Sequence, residues 1–361
     1  MKTHKIVNYR LLEAQFEREV RRVLERAPSL EIKSSGLSNH SEIDTVFRVL
    51  AGKDQWILAL EGKREGYPRS VRVAVSQLER YFRQLPSNTH AYGVVAAPFI
   101  SQASAQICEE AGVGYVDLAG NARLAFDHVF IETRSSENPF REKREVRSLF
   151  APRATRVLRV LLQGPLRTWK VKELAEASRV SLGWVSAVRK ELLAREWAEE
   201  VERSGIRVKR PDALLDTWAK SDRWADRVQA REYSLLTTDP VEIASRSHEY
   251  FGDHRHAFTQ WLAAELRHPY TTAPLVSVYV DEFPDDADLR QKLGARRVEE
   301  GGRLRLVVPK DEGVFNPAQI VNGFPLVSDV QIYLDLVNAG LRGDEAANEL
   351  RRWPDFSGGW A

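Results

Sequence analysis

One cysteine, Cys108, occurs in 361 residues. A single thiol excludes a disulfide framework and a Cys-rich zinc site, and it fits a reducing compartment. No apolar run approaches the ~20 residues needed to span a bilayer. The N-terminal segment MKTHKIVNYRLLEAQFEREVRRVL has no apolar stretch and carries acids, so it reads as neither signal nor transit peptide. These absences lead to the expectation of a cytoplasmic protein with no membrane partner. There is no internal repeat and no low-complexity tract. Gly112-Val-Gly114 and Gly120 lack the phosphate-loop pattern, so no nucleotide site is inferred. Net charge is nearly absent too, at +2.

That small number conceals an uneven distribution. Residues 1–140 hold 18 basic and 17 acidic residues, residues 141–210 hold 18 and 9, and residues 211–361 hold 17 and 25. The middle therefore carries +9 and the C-terminal part −8. A basic middle invites a polyanion, although a solvated charged surface explains the charge equally well. Hydrophobic residues at 43% and charged residues at 29% are ordinary for globular protein and exclude wholesale disorder. The length suits two or three domains.

The N-terminal 1–140 reads as a mixed α/β domain. Leu11, Leu12, Phe16, Val20 and Val23 share one helical face within 8–27. The turn-rich stretch 34–41 follows. Ile43–Leu50 and Gln55–Leu60 read as strands joined by Ala51-Gly52-Lys53-Asp54. Helix 71–85, strand 91–97, helix 101–111 capped by Ser101 and closed by Gly112, and short strands at 115–118 and 122–126 complete an α-β-β-α-β-α-β order. Cys108 is expected in the core of the second of these helices.

Within this domain Asp44 begins one strand and Glu61-Gly62-Lys63 ends the next. Alternation puts Glu61 and Lys63 on one face. Asp44 and Glu61 supply hard oxygen ligands suited to Mg²⁺, and Lys63 can steady an attacking hydroxide or developing phosphorane charge. Glu13 or Glu17 could add a third carboxylate. Gln77 and Tyr81 lie one helical turn apart and could face the same place. The set resembles the restriction-endonuclease-like PD-(D/E)xK fold, with Ile43 standing where that pattern has proline. A surface ion pair at the end of a hairpin is the plainer reading, and a degenerate nuclease fold kept for binding is a third.

Residues 150–212 read as a winged helix-turn-helix: helices at 154–162, 171–178 and 181–195, then a hairpin with arms at 197–201 and 206–208. Ser181 can cap the third helix. Ser181, Trp184, Ser186, Arg189 and Lys190 are candidate contacts to bases and phosphates, and Arg203, Arg207, Lys209 and Arg210 lie on the proposed wing. Double-stranded DNA is the expected partner, and DNA binding by such a unit needs no cofactor. Trp184 fits buried packing equally well, and many winged helices bind only protein. Residues 213–361 read as a mixed α/β domain, helical at 257–266, 329–339 and 344–353, with strands at 276–280 and 303–308 and a helix starting near 286. His248, His254 and His256 cluster in sequence and read as a solvated loop rather than a metal site.

The runs 151–199, 326–352 (LVSDVQIYLDLVNAGLRGDEAANELRR) and VGYVDLAGNARL at 113–124 resemble the AbiEi-type antitoxins of type IV toxin–antitoxin systems. That resemblance implies a DNA-binding repressor of its own operon. It also implies a C-terminal domain that counters a nucleotidyltransferase toxin. The expectation is thus a multidomain α+β protein: a restriction-endonuclease-like domain at 1–140, a winged helix-turn-helix at 150–212 and an antitoxin-like α/β domain at 213–361. Its expected role is a DNA-binding transcriptional regulator and antitoxin. The alternative is a Mg²⁺-dependent nuclease targeted by its winged helix, with Asp44, Glu61 and Lys63 as catalytic residues and Mg²⁺ as cofactor.

Overall fold

A computed structural model describes residues 2–37, 43–134, 149–202, 205–340 and 342–360. The fold is mixed α/β and divides into two compact units: 1–142 with 194–196, and 143–193 with 197–361. Among the described residues no helix is long and apolar enough to cross a membrane.

The first unit runs α1 (Lys2–Leu24), β1 (Leu30–Leu37), β2 (Thr45–Ala51), β3 (Asp54–Gly62), α2 (Pro68–Phe82), β4 (His90–Ala97), α3 (Gln102–Glu110), β5 (Gly114–Asp117), β6 (Ala122–Phe126) and β7 (Val129–Thr133). The seven strands lie side by side in chain order. Pairing is antiparallel at both ends of the sheet and parallel where β4 meets β3 and β5. A parallel pair needs a crossover, and α2 and α3 provide them. Each face is buried, because strand alternation feeds two apolar clusters. Phe47, Val49, Leu58 and Leu60 pack with Phe16, Val20 and Val23 of α1 on one side. Ala59 and Val95 pack with Val71, Ala74, Leu78 and Tyr81 of α2 on the other.

Ser101 caps α3 by accepting from Ser104 N at 3.2 Å, and Gly112 takes φ +68 just beyond it. Gly52 at φ +60 turns the β2–β3 hairpin as expected. Cys108 is fully buried, and desolvation pushes its thiol up to about 12. Three details differ from expectation. Leu11 is 60% exposed, off the buried face. Strand β1 occupies part of what reads as a turn-rich stretch; its Ser and Gly are tolerated because it pairs along one edge only, with β2. Strand β7 is added at the other edge.

The second unit opens with α4 (Pro152–Leu162), α5 (Val171–Ser178) and α6 (Leu182–Ala194), followed by the hairpin β8 (Ala198–Val201) and β9 (Gly205–Val208). The extended piece at Trp169 joins β9 through reciprocal 2.8 Å bonds with Ile206. Then come α7 (Pro211–Ser221), α8 (Trp224–Arg227), β10 (Val228–Ser234), α9 (Pro240–Phe251), β11 (His256–Thr259), α10 (Gln260–Arg267), β12 (Val276–Val280), α11 (Asp286–Lys292), β13 (Arg296–Val298), β14 (Leu304–Pro309), β15 (Ala318–Val321), β16 (Phe324–Val327), α12 (Asp329–Val337) and α13 (Gly343–Arg352). Seven of these strands make a second mixed sheet, ordered β13-β10-β14-β12-β11-β16-β15. The expected helix at 257–266 begins as strand β11 and turns helical only at Gln260, whose φ of +54 makes the change of direction.

One apolar core runs from the α4–β9 segment into this sheet without a break at residue 212. Polar contacts follow the same route. Arg156 of α4 grips Asp311 through two nitrogens at 2.8 and 2.9 Å, and buried Arg159 donates to Gln331 of α12 at 2.7 Å. Asn316 donates to the Ala177 carbonyl, and Trp360 Nε1 to that of Leu162. At the centre lies Asp335, fully buried, accepting from Arg227 at 2.7 Å, Gln331 at 2.6 Å and Thr259 at 2.5 Å. A buried carboxylate needs such pairing, and Asp335 has it.

Candidate functional site

The two strands that carry the expected carboxylates are paired in the register their spacing requires. Thr45 stands opposite Leu60, so Asp44 falls beside Glu61 at the ends of β2 and β3. Asp44 is held there by the backbone: its Oδ2 accepts from Gly62 N at 2.8 Å. Gly62 leaves the space for this contact. A Cβ on it would stand 2.7 Å from Phe16 Cδ2 and 3.3 Å from Asp44 Oδ2.

Glu61 is 3% exposed and lies on the same strand face as Ala59, toward α2. Its Oε1 meets Lys63 Nζ at 2.6 Å. Lys63 Nζ also donates to Gln77 Oε1 of α2 at 2.6 Å, and its backbone N is tied to the Ala96 carbonyl at 2.7 Å. Asp44, Glu61, Lys63 and Gln77 therefore form one linked group. Tyr81, one turn beyond Gln77, is buried in the core under α2. Glu13 and Glu17 are half-buried on α1, on either side of Phe16 in sequence. Among the described residues, no group of three or more His, Cys, Asp or Glu could hold a metal ion.

The electrostatics are those of a charge short of compensation. Burial pushes the Glu61 carboxyl up to about 7, against the downward pull of Lys63, and neighbouring Asp44 adds to the rise. Burial raises Asp44 as well, against the Gly62 hydrogen bond. Gln77 also pulls the Glu61 carboxyl down, but among the described residues Glu61 Oε2 is a buried acceptor with no hydrogen-bond partner. A buried orphan acceptor is costly and asks for an explanation. A divalent cation supplies one: Mg²⁺ is commonly held by one or two carboxylates, the rest of its shell being water and phosphate oxygen. The donor set here, two hard carboxylates with one oxygen open, fits that description.

The second group of expected residues lies on α6 and the β8–β9 hairpin. Ser181, Ser186, Lys190, Lys209 and Arg210 are exposed. Ser181 opens α6, its carbonyl accepting from Trp184 N and Val185 N. Trp184 is half-buried against the apolar core, between the outward and packed placements its sequence position allows. Arg189 pairs with Glu200 at 2.5 Å, and Arg207 with its cross-strand neighbour Glu199 at 2.6 Å. Part of the basic surface is thus neutralised within the hairpin. Arg203 lies outside the described residues. Of the histidine cluster only His254 lies exposed in a turn: His256 is 7% exposed in β11, and its Nε2 lies 2.8 Å from His248 Nδ1 of α9.

No protein-family model matches the chain, and no curated protein does. Comparison with solved structures returns EndoMS in its apo form, at 17% identity and a TM-score of 0.22. The match covers 30% of this chain and 45% of that one. A likeness that low carries no argument about fold or function.

Proposed function

We propose that this protein binds double-stranded DNA and that its first unit hydrolyses phosphodiester bonds with the help of a divalent cation. The observation that carries the reading is the part-buried Asp44–Glu61–Lys63–Gln77 group, in which buried Glu61 Oε2 has no hydrogen-bond partner among the described residues. Asp44 and Glu61 would hold the cation. When bound, it neutralises phosphoryl charge and activates water. Gly62 N fixes the Asp44 carboxylate. Gln77 and Glu61 fix the Lys63 ammonium from two sides, so that it needs little reorganisation to stabilise charge developing on phosphate. The order of helices and strands from α1 to β5, with Asp44 just before β2 and Glu61 at the end of β3, supports a restriction-endonuclease-like reading. The test is incubation of supercoiled plasmid with Mg²⁺ or Mn²⁺. Cleavage by the wild type and none by Lys63→Ala is expected; equal inertness of both sinks the reading.

A second reading keeps the DNA binding and drops the cleavage: a transcriptional regulator of the AbiEi antitoxin type. It is favoured by the three helices α4–α6, the β8–β9 hairpin and the Trp169–Ile206 bridge, an order that matches a winged helix-turn-helix. Exposed Ser186 and Lys190 on α6 are its groove-facing candidates. A gel shift on the promoter region upstream of its own gene tests it. Binding that weakens steeply with salt and falls with Arg189→Ala plus Lys190→Ala supports it; no shift at low salt overturns it.

A further inference from the structure

Helix α2, which supplies Gln77, carries a second feature that the cleavage chemistry does not use. Arg69, Arg72 and Arg80 are exposed on it, and Arg83 follows at its C-cap. At 3.6 residues per turn these positions, with Ser76 among them, fall within an arc of about 80°. That arc lies opposite the buried face made by Val71, Ala74, Val75 and Leu78. The only acid on the helix is Glu79. Gln77 sits on the flank between stripe and core, with its Oε1 on Lys63 Nζ. Gln77 thus ties the helix that carries the arginines to the Asp44–Glu61–Lys63 group.

We infer that this stripe is a track for the phosphate backbone of duplex DNA, laid beside the hydrolytic site; the inference rests on the phosphodiesterase reading above. From Arg69 to Arg83 the helix advances ~21 Å, roughly six base pairs of duplex at 3.4 Å each. Guanidinium is suited to phosphate oxygen, which it can grip with two parallel N–H donors. The partners of Arg72 and Arg83 are weak competitors. Arg72 pairs with Glu196 at 3.0 Å and Arg83 with Glu79 at 4.0 Å, both with exposed arginines. Exposed pairs of this kind are worth well under about 1 kcal/mol. The choice of duplex over single strand follows from the aromatics. Single-strand binders stack bases on exposed rings, and on α2 Tyr81 is buried and Phe82 half-buried on the core side.

The experiment uses the full chain with Lys63→Ala, so that DNA is bound but not cut. Affinity for a short duplex of arbitrary sequence is measured between about 50 and about 200 mM salt, with and without Arg69→Gln, Arg72→Gln, Arg80→Gln and Arg83→Gln together. At about 0.9 per phosphate contact, the slope of log affinity against log salt becomes shallower by roughly 3 to 4. The four corresponding Arg→Lys changes keep the charge and restore most of the slope. In the otherwise wild-type chain the four Gln changes leave hydrolysis of bis(p-nitrophenyl) phosphate unaltered, since none touches the carboxylates or Lys63. An unchanged slope overturns the track, as does tighter binding of a single strand of the same length. If the slope changes but neither chain cleaves, the track stands and the hydrolytic reading fails; if cleavage persists with an unchanged slope, the reverse holds.

Discussion

Replacing Glu61 with glutamine should make the cation-free protein more stable, and only above a definite pH. Glu61 is buried, its Oε2 has no hydrogen-bond partner among the described residues, and burial holds its carboxyl at about 7 instead of 4.5. The folded state therefore holds a proton that the unfolded state has already lost. Stability is fully present below about 4.5 and falls as pH rises toward about 7. At ~1.4 kcal/mol per pH unit, the gap is worth about 3 kcal/mol, most of it between about pH 5 and about pH 8. Glutamine keeps the oxygen that accepts from Lys63 Nζ and removes the charge that must be buried. Urea denaturation of Glu61→Gln and wild type at pH 5 and pH 8, without divalent cation, measures the difference. The variant should gain roughly 2 kcal/mol or more on the wild type over that interval. A difference that is the same at both pH values, or a variant less stable at pH 8, refutes the idea that Glu61 is a strained buried charge. Added Mg²⁺ should then stabilise the wild type by mass action and leave the variant nearly unmoved.

Other expectations follow from the same geometry. Gly62→Ala forces a Cβ to within 2.7 Å of Phe16 Cδ2, so it should cost roughly 1–3 kcal/mol in chemical denaturation and reduce cation-dependent cleavage by displacing Asp44. Asp335→Ala leaves half-buried Arg227 with Asp222 as its remaining carboxylate at 2.8 Å, but strips Thr259 and Gln331 of their buried acceptor, and should cost about 1–3 kcal/mol in the same assay. Cys108, with its thiol pushed up to about 12 and fully buried, should react with a thiol reagent only at the rate of unfolding.

The Asp44–Glu61–Lys63 group is readable from sequence because its geometry is local. Strand alternation and a two-residue hairpin bring the three together, and the helical turn after them brings Gln77. What escapes sequence is set by partners distant in the chain. Strand β1 has the Ser-Gly composition of a loop and is a strand only because β2 offers it an edge. Strand β10 and the short β13, β15 and β16 are likewise fixed by their neighbours in the second sheet. His248 and His256 meet because α9 packs back near β11, which their spacing alone does not reveal. The pairing of Arg207 with Glu199 was open to view: a hairpin with acids on one arm and bases on the other neutralises itself across the strands.

The core that runs unbroken from α4 into the second sheet has a thermodynamic consequence. Segments sharing one apolar interior melt together, so the α4–β9 segment has no stability of its own to lose or gain. Whatever binds and stabilises the C-terminal sheet raises the unfolding free energy of α6 by the same amount, with no shape change needed. A fragment cut near residue 212 would lose the partners of Arg156, Arg159 and the Leu162 carbonyl, and would leave an apolar face open to water.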